Sequence, residues 1–124
     1  MKDLKQIYRL EALLQEAHND LVRQARDRGE IAIGSTCSLI PEPLINLPGC
    51  FSVRLRAPRT GSMEMGTYYM TSIMCEACRA ILERAIEGGY QFLDCMLTPD
   101  SCAQMNRCVE NIEHLGLCGR EGFF

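Results

Sequence analysis

Residues 75–108 carry the pattern that most restricts the fold of this chain, because two helical segments there each have a cysteine in the first turn. The stretch reads CEACRAILERAIEGGYQFLDCMLTPDSCAQMNRC. Its first part has the period of a helix that ends at a Gly-Gly pair, and residues 92–97 form an apolar run that predicts a strand. A turn then leads into a second predicted helix, with Asp100 or the serine after it as N-cap. A helix N-terminus has unpaired N–H groups and a partial positive charge, so a thiol there ionises more readily than a free one. Since the thiolate is the form that binds metals, Cys75 and Cys102 are candidate ligands.

The preceding residues predict a second unit of strands and a helix. Residues 31–34 form a short apolar run, residues 41–47 a short helix that opens with Pro-Glu-Pro, and residues 51–55 alternate apolar with polar side chains as a strand does. A strand, a helix and a strand in this order imply parallel pairing through a right-handed crossover. We therefore predict an α/β fold, a small parallel sheet with flanking helices.

The two ends of the chain differ from this centre. Residues 3–28 carry apolar side chains at three- and four-residue steps between charges, which predicts one amphipathic helix. We expect it to pack on the domain, because the stripe is no wider than a domain helix needs; a partner-binding helix is the alternative. Residues 114–124 contain glycine breaks and a final Phe-Phe pair. We assign residues 1–113 to one α/β domain, which carries these candidate metal ligands, and residues 114–124 to a tail. A three-stranded parallel sheet needs cover on both faces and at both edges, so we expect a truncated or divergent chain, or one that needs a partner.

Composition argues against several functions. The net charge is −3 and the lysines and arginines are spread along the chain, so no basic stripe indicates nucleic-acid binding. Two histidines are too few for a His-rich zinc site. The apolar runs are far shorter than the roughly 20 residues of a membrane helix, and the first residues form a charged segment without a signal-peptide core. We expect a cytoplasmic protein without nucleic-acid or membrane partners.

Eight cysteines are the anomaly of the composition. Without an export signal, this count favours metal binding, redox chemistry or catalysis over disulfides. Cys37 follows the first strand, Cys102 follows the third, and Cys75 ends the loop after the second, so all three are expected at the carboxyl edge of the sheet, where open parallel sheets bind ligands. Three thiolates favour an iron-sulfur cluster or zinc, although their spacing matches no compact zinc finger. Buried structural thiols are the competing interpretation.

Cys75 and Cys78 also form a CxxC pair at a helix start. Such a pair can be two metal ligands, a coincidence or a redox dithiol. We prefer them in that order, because a thioredoxin-type pair follows a strand directly, whereas a polar, Tyr-rich loop precedes this one. Cys50 and Cys95 lie in apolar, strand-like runs, and we expect them to be small buried hydrophobes.

Three stretches of the sequence resemble the sequence pattern of one known family. They read GEIAIGSTCSLIPEPLI, CFSVRLRAP and MCEACRAILERAIEGGYQFLDCMLTPDSCAQMNR, and they cover about residues 29–113. Their order resembles the N-terminal part of the 2-hydroxyacyl-CoA dehydratase and benzoyl-CoA reductase family, of the 2-hydroxyglutaryl-CoA dehydratase D-component type. Members typically show a Cys-Ser before a Pro-Glu, a strand ending in an arginine, a cysteine followed four residues on by arginine, and Phe-Leu-Asp before an apolar run, a proline and a cysteine.

The resemblance implies a fold, a cofactor and site residues. The fold is a flavodoxin-like three-layer α/β/α arrangement, present here in part, and the cofactor is a 4Fe-4S cluster of anaerobic metabolism. In the dehydratases, the cluster passes one electron to an acyl-CoA thioester, and the resulting ketyl radical allows the β-hydrogen and then water to leave. Cys37, Cys75 and Cys102 match family cysteines, with the last two the stronger ligands, whereas Ser38 and Glu42 match a polar pair near the substrate or serve as ordinary helix-start residues.

The resemblance also implies partners and leaves alternatives. The partners are a second dehydratase-like subunit or a second copy of this chain, an ATP-dependent activator that supplies the electron, and an acyl-CoA.

Family subunits are longer and take a cluster cysteine from a second domain, so we expect no turnover by this chain alone. Cys78, Cys95, Cys108 and Cys118 exceed the dehydratase pattern and are reminiscent of double-cubane cluster proteins, while Pro43 replaces a residue that is commonly Glu. The alternatives are a double-cubane-type reductase subunit and a non-catalytic fragment with structural or zinc-binding thiols.

Overall fold

Three strands and six helices make up the part of the chain that the structure, a computed structural model, describes: residues 2–57 and 61–118. In chain order the elements are α1 (Lys2–Gln15), α2 (Asp20–Asp27), β1 (Ile31–Ser35), α3 (Glu42–Ile45), β2 (Cys50–Arg54), α4 (Glu64–Met70), α5 (Glu76–Ile86), β3 (Cys95–Leu97) and α6 (Ala103–His114). Within these residues, no helix combines the length and the apolar content needed to cross a membrane.

The sheet has the strand order β2-β1-β3, and β1 pairs in parallel with both neighbours. Ile31 of β1 lies opposite Cys50 of β2, and Ile33 lies opposite Cys95 of β3. The crossover from β1 to β2 contains α3, and the crossover from β2 to β3 contains α4 and α5. This order is the beginning of the 2-1-3-4-5 order of flavodoxin-like sheets. The predicted fold, a small parallel sheet with flanking helices, is confirmed.

One buried cluster joins α5 and α6 to the sheet. α5 contributes Ile81, Leu82 and Ala85, and α6 contributes Val109 and Ile112. Because these residues recur at three- and four-residue steps, they lie on one face of each helix. The strands, the other helices and the loops add Val22, Ala32, Val53, Leu55, Met70, Tyr90, Leu93 and Met96.

The single helix predicted over residues 3–28 is wrong, since α1 and α2 are separate helices. Asn19 is the N-cap of α2, and its side-chain oxygen accepts hydrogen bonds from the N–H groups of Leu21 at 3.0 Å and Val22 at 3.2 Å. Such a cap satisfies N–H groups that a continuous helix would pair internally. His18, in the break, stacks on Phe92 with ring centroids 4.6 Å apart.

Only the second of these helices packs on the domain as the apolar stripe predicts. α2 buries Val22 and Ala25, which belong to the core. On α1, by contrast, the apolar residues Leu4, Ile7, Leu10 and Leu14 are each at least half exposed. The periodicity therefore identified the helical conformation of α1 correctly and its packing wrongly.

The third strand is shorter than the predicted residues 92–97, because a tight turn precedes it. The N–H of Leu93 donates to the carbonyl of Tyr90 at 3.1 Å, and the hydroxyl of the buried Tyr90 donates to the carbonyl of Arg56 at 2.8 Å. Asp94 then joins β1: its N–H donates to the carbonyl of Ala32, and its carboxylate accepts from the N–H of Ala32, both at 2.9 Å. Part of the apolar run that predicted a strand is therefore a turn whose apolar side chains are buried.

We expect Leu82→Ala to lower the free energy of unfolding by about 2–5 kcal/mol, because the fully buried side chain of Leu82 leaves a cavity when it is truncated. Chemical denaturation followed by circular dichroism measures the change. Leu44→Ala is the control, since Leu44 is 66% exposed, and it should change the same quantity by less than about 0.5 kcal/mol. Equal effects of the two substitutions would contradict the position of the core.

Candidate functional site

The carboxyl ends of β1 and β3 lie side by side where the strand order reverses. The hydroxyl of Thr36, directly after β1, donates to the hydroxyl of Thr98, directly after β3, at 3.1 Å, and its N–H donates to the carbonyl of Leu97 at 3.3 Å. In open parallel sheets, ligands bind outside the strand ends at such a reversal point. Cys37, half-buried, is the next residue after this junction.

Cys75 and Cys102 are the N-caps of α5 and α6, and both are exposed. The prediction that Asp100 or Ser101 caps α6 is wrong: Asp100 instead accepts a hydrogen bond from the side-chain amide of Asn106 at 2.6 Å. The N–H of Cys75 donates to the side-chain oxygen of Gln104, in the first turn of α6, at 2.5 Å. This hydrogen bond ties the start of one helix to the start of the other.

Beneath these N-caps, α5 and α6 meet through two further cysteines. Cys78 and Cys108 are both buried, and the thiol of Cys108 donates to the carbonyl of Cys78 at 3.2 Å. The pKa of each of these two thiols is raised to about 12, chiefly by burial and further by the nearby Cys75. A thiol that stays protonated in the core behaves as a small hydrophobe with a weak donor.

The exposed thiol of Cys75 has the opposite electrostatic environment. The backbone N–H of Cys78 lowers its pKa most, and burial opposes this effect. The N–H of Ala77, the thiol of Cys78 and the guanidinium of Arg79 lower the pKa further, so that the net shift is downward. Arg79 is held in place, because it donates to the carbonyl of Met74 at 3.2 Å and to the hydroxyl of Thr67 at 2.9 Å. The first turn of α5 thus favours a thiolate at Cys75.

The helix α4 approaches α5 closely at the same place. Gly66 donates its N–H to the carboxylate of the buried Glu83 at 2.7 Å. A Cβ atom on Gly66 would lie 2.3 Å from the carbonyl oxygen of Arg79, far inside van der Waals contact. Glycine at this position therefore allows α4 to support the turn of α5 that carries Arg79.

The structure brings together some of the predicted ligands. Cys75, Cys78 and Cys102 are electrostatic neighbours, since the first and the last both raise the pKa of Cys78. No hydrogen bond joins Cys37 to these three in the described part of the chain. Across residues 2–57 and 61–118, no group of three or more histidines, cysteines or acidic residues is arranged to hold a metal ion. The ligand roles of Cys37, Cys75, Cys78 and Cys102 stay predictions.

The donor chemistry nevertheless fits an iron-sulfur cluster in part. Cys75 and Cys102 are accessible thiols at positive helix ends, and cluster irons take thiolate ligands. Cys78 fits less well, because only 2% of its surface is exposed. The described residues therefore offer two ready ligands and not a complete set.

Ser38 and Glu42 follow the end of β1, and both are exposed. The N-cap of α3 is Pro41, and no side chain caps this four-residue helix. Ser38 therefore does not cap α3, which removes one ordinary explanation for that residue. The predicted substrate roles of Ser38 and Glu42 stay predictions.

Two functional contacts were not foreseen from the sequence. The first is the hydrogen bond from Cys75 to Gln104, and the second is the contact between Cys108 and Cys78. The burial of Cys108 could have been predicted, because it lies three residues after Met105 and four residues before Ile112, which both contact the core. The sequence also pointed to Arg79, because it follows Cys75 by four residues as in the family pattern. That spacing alone did not show that Arg79 lowers the pKa of the Cys75 thiol.

A second group of thiols lies at the opposite end of the sheet. Burial raises the pKa of Cys95, and Cys118, Asp94 and Cys50 raise it further, so these groups are close to one another. Cys50 and Cys95 begin β2 and β3, and both are half-buried rather than fully buried as predicted. This group is separate from the carboxyl edge of the sheet.

Comparison with known proteins identifies a family. The family model described as 2-hydroxyglutaryl-CoA dehydratase, D-component, matches residues 37–119, more than half of the chain. The matched segment begins at the cysteine after β1 and contains every element from α3 to α6. Searches of curated proteins and of solved structures returned no match.

We expect Gly66→Ala to lower the free energy of unfolding by about 1–3 kcal/mol, since the added methyl group forces α4 away from the backbone of α5. Thermal or chemical denaturation measures this loss. Gly61→Ala is a matched control, because a Cβ atom on Gly61 meets nothing within 4 Å. A neutral effect of the first substitution would contradict the close approach of the two helices.

Arg79→Gln should raise the pKa of the Cys75 thiol, because it removes a cation that favours the thiolate. The rate of iodoacetamide alkylation at Cys75, followed by peptide mass spectrometry across a pH series, should then reach its half-maximal value at a higher pH. The control is Arg107→Gln, since Arg107 pairs with Glu110 on α6 at 3.1 Å. An unchanged profile in Arg79→Gln would show that this guanidinium does not act on Cys75.

Proposed function

Because this chain belongs to the 2-hydroxyglutaryl-CoA dehydratase D-component family, we propose that it is an iron-sulfur-cluster-binding domain of a 2-hydroxyacyl-CoA dehydratase-like subunit in the cytoplasm. One observation carries the proposal. Two exposed cysteines, Cys75 and Cys102, begin neighbouring helices inside the matched segment, and the N–H of the first is hydrogen-bonded to the first turn of the second helix.

We assign Cys37, Cys75 and Cys102 as ligands of a 4Fe-4S cluster, with Cys78 as a further candidate. When bound, such a cluster supplies one-electron reduction of an acyl-CoA thioester, the step that makes dehydration possible in this family. The chain's own contribution is electrostatic and geometric. Backbone N–H groups and Arg79 favour the thiolate of Cys75, and the core contact between α5 and α6 holds its distance from Cys102.

The proposal requires partners, because the described residues do not assemble three ligands. A second dehydratase-like subunit, or a second copy of this chain, would complete the ligand set and the acyl-CoA pocket. An ATP-dependent activator would supply the electron. We assign Ser38 and Glu42 to the substrate side, where an exposed hydroxyl and carboxylate beyond the end of β1 are available for hydrogen bonding or proton transfer.

The test is anaerobic reconstitution of the chain with iron and sulfide, followed by iron and sulfide analysis, absorption and EPR. We expect a coloured, iron-containing protein, and Cys102→Ala should lose iron because it removes an exposed thiol ligand at the carboxyl edge. Cys95→Ala should keep its iron, since Cys95 lies at the other end of the sheet. A colourless protein, or equal iron loss in both variants, would contradict the assignment.

A non-catalytic role with structural or zinc-binding thiols is the second candidate. It is favoured by the burial of Cys78 and Cys108, which contribute to packing between α5 and α6. Metal analysis of the purified protein separates the candidates. Zinc as the bound metal, or a folded state unaffected by chelators, supports the structural role, whereas more iron than one cubane holds supports a double-cubane-type reductase subunit.

A further inference from the structure

The CxxC pair of α5 combines one accessible and one inaccessible thiol. Cys75 is the exposed N-cap of the helix, and Cys78, three residues later in its first turn, has 2% of its surface exposed. An oxidant in solution can therefore reach the first sulfur and not the second. The same division between an outer attacking thiol and an inner resolving thiol underlies reversible dithiol chemistry.

The geometry of the first turn brings the two sulfurs together. With a rise of 1.5 Å per residue and a Cα radius of about 2.3 Å, a helix places Cα atoms three residues apart about 5 Å from each other, which lies within the range of about 4.4–6.8 Å that disulfides span. Cys75 has the non-helical backbone angles of an N-cap residue, with φ −49° and ψ 128°, and lies directly before the first helical turn that carries Cys78. The two thiols also act on each other electrostatically, since Cys78 lowers the pKa of the Cys75 thiol and Cys75 raises that of Cys78.

We propose that Cys75 and Cys78 form a reversible intramolecular disulfide, so that the CxxC pair is a site of oxidative modification by low-molecular-weight disulfides. This inference does not depend on cluster binding, because it needs only the two thiols and an external disulfide. It does connect with the proposed function: a sulfur of Cys75 that is bonded to Cys78 is unavailable as a thiolate ligand.

The exchange proceeds in two balanced steps. The thiolate of Cys75 attacks one sulfur of the external disulfide, whose S–S bond breaks, and the released thiolate takes a proton from water. The sulfur of Cys78 then attacks the sulfur of Cys75, the bond between Cys75 and the small thiol breaks, and the departing small thiolate takes the proton of Cys78. The two protein thiols are oxidised, the external disulfide is reduced to two thiols, and the two protons come from Cys75 and Cys78.

Neighbouring cysteines define the competing outcomes. Cys108 is fully buried and its thiol points at the carbonyl of Cys78, so an external disulfide does not reach it. Cys102 is exposed at the start of α6, and a bond from Cys75 to Cys102 is the principal alternative. Trypsin separates these possibilities, since Cys75 and Cys78 share residues 60–79, whereas Cys102 falls in residues 85–107.

The experiment treats the reduced, metal-free full chain with oxidised glutathione and then alkylates and digests it. We expect the peptide of residues 60–79 to lose two hydrogen atoms in mass and to resist alkylation until a reductant is added. Cys78→Ser should instead accumulate one glutathione on this peptide, because the resolving thiol is gone. Cys75→Ser should abolish both products, and Cys102→Ser, the matched control at an exposed N-cap, should react as the wild type does.

Two results would overturn the proposal. One is full alkylation of both thiols in the peptide of residues 60–79 after oxidation, and the other is a cross-link between this peptide and that of residues 85–107. The wild-type chain and the Cys102→Ser variant both keep the core intact. Peptide mapping of these two proteins therefore tests the disulfide even if Cys78→Ser does not fold. Iron content, measured on a separate reconstituted sample, shows independently whether the proposed function holds.

Discussion

The packing of α5 against α6 is the contact on which the candidate site depends. The thiol of Cys108 donates to the carbonyl of Cys78, and around this contact the two helices bury Leu82, Val109 and Ile112. Burial of such apolar side chains is the main stabilising contribution to a small domain. Because the N-caps of both helices lie above this contact, the positions of the two exposed thiols follow from core packing and not from loop conformation.

The sheet adds the second half of the arrangement. Its strand order places the end of β1 beside the end of β3, and the hydroxyls of Thr36 and Thr98 hold the two ends together. Cys37 and Cys102 therefore follow adjacent strand ends, as expected for ligand-binding residues of open parallel sheets. The family match begins directly after Thr36 and covers the end of β3 and both helices, so most of the family's sequence pattern lies beside the reversal of the strand order.

Much of this arrangement could be predicted from the sequence, and the part that could not has a physical reason. The prediction of the parallel sheet and its carboxyl edge rested on local patterns. These are the alternation of apolar and polar side chains in residues 51–55, the Gly-Gly pair and the helical period of α5. The break at Asn19 was missed because the three- and four-residue apolar steps continue through it, although a capping asparagine is itself a start signal.

The burial of individual thiols could not be predicted locally. Cys75 and Cys78 have similar neighbours in the sequence, yet one is exposed and the other is in the core. Which of them is covered depends on where α6 packs, and this is a contact between residues about one quarter of the chain apart. The same holds for Gln104, whose bond to the N–H of Cys75 forms only once both helices are in place.

The hydrogen bond between Gln104 and Cys75 has one more consequence. It links the two helix starts across the gap that separates their sulfurs, while the core holds the same helices together from below. The span between the outer thiols is thereby set before anything occupies it. A group that bridges Cys75 and Cys102 would therefore have to fit the spacing that these two contacts impose on the helix starts.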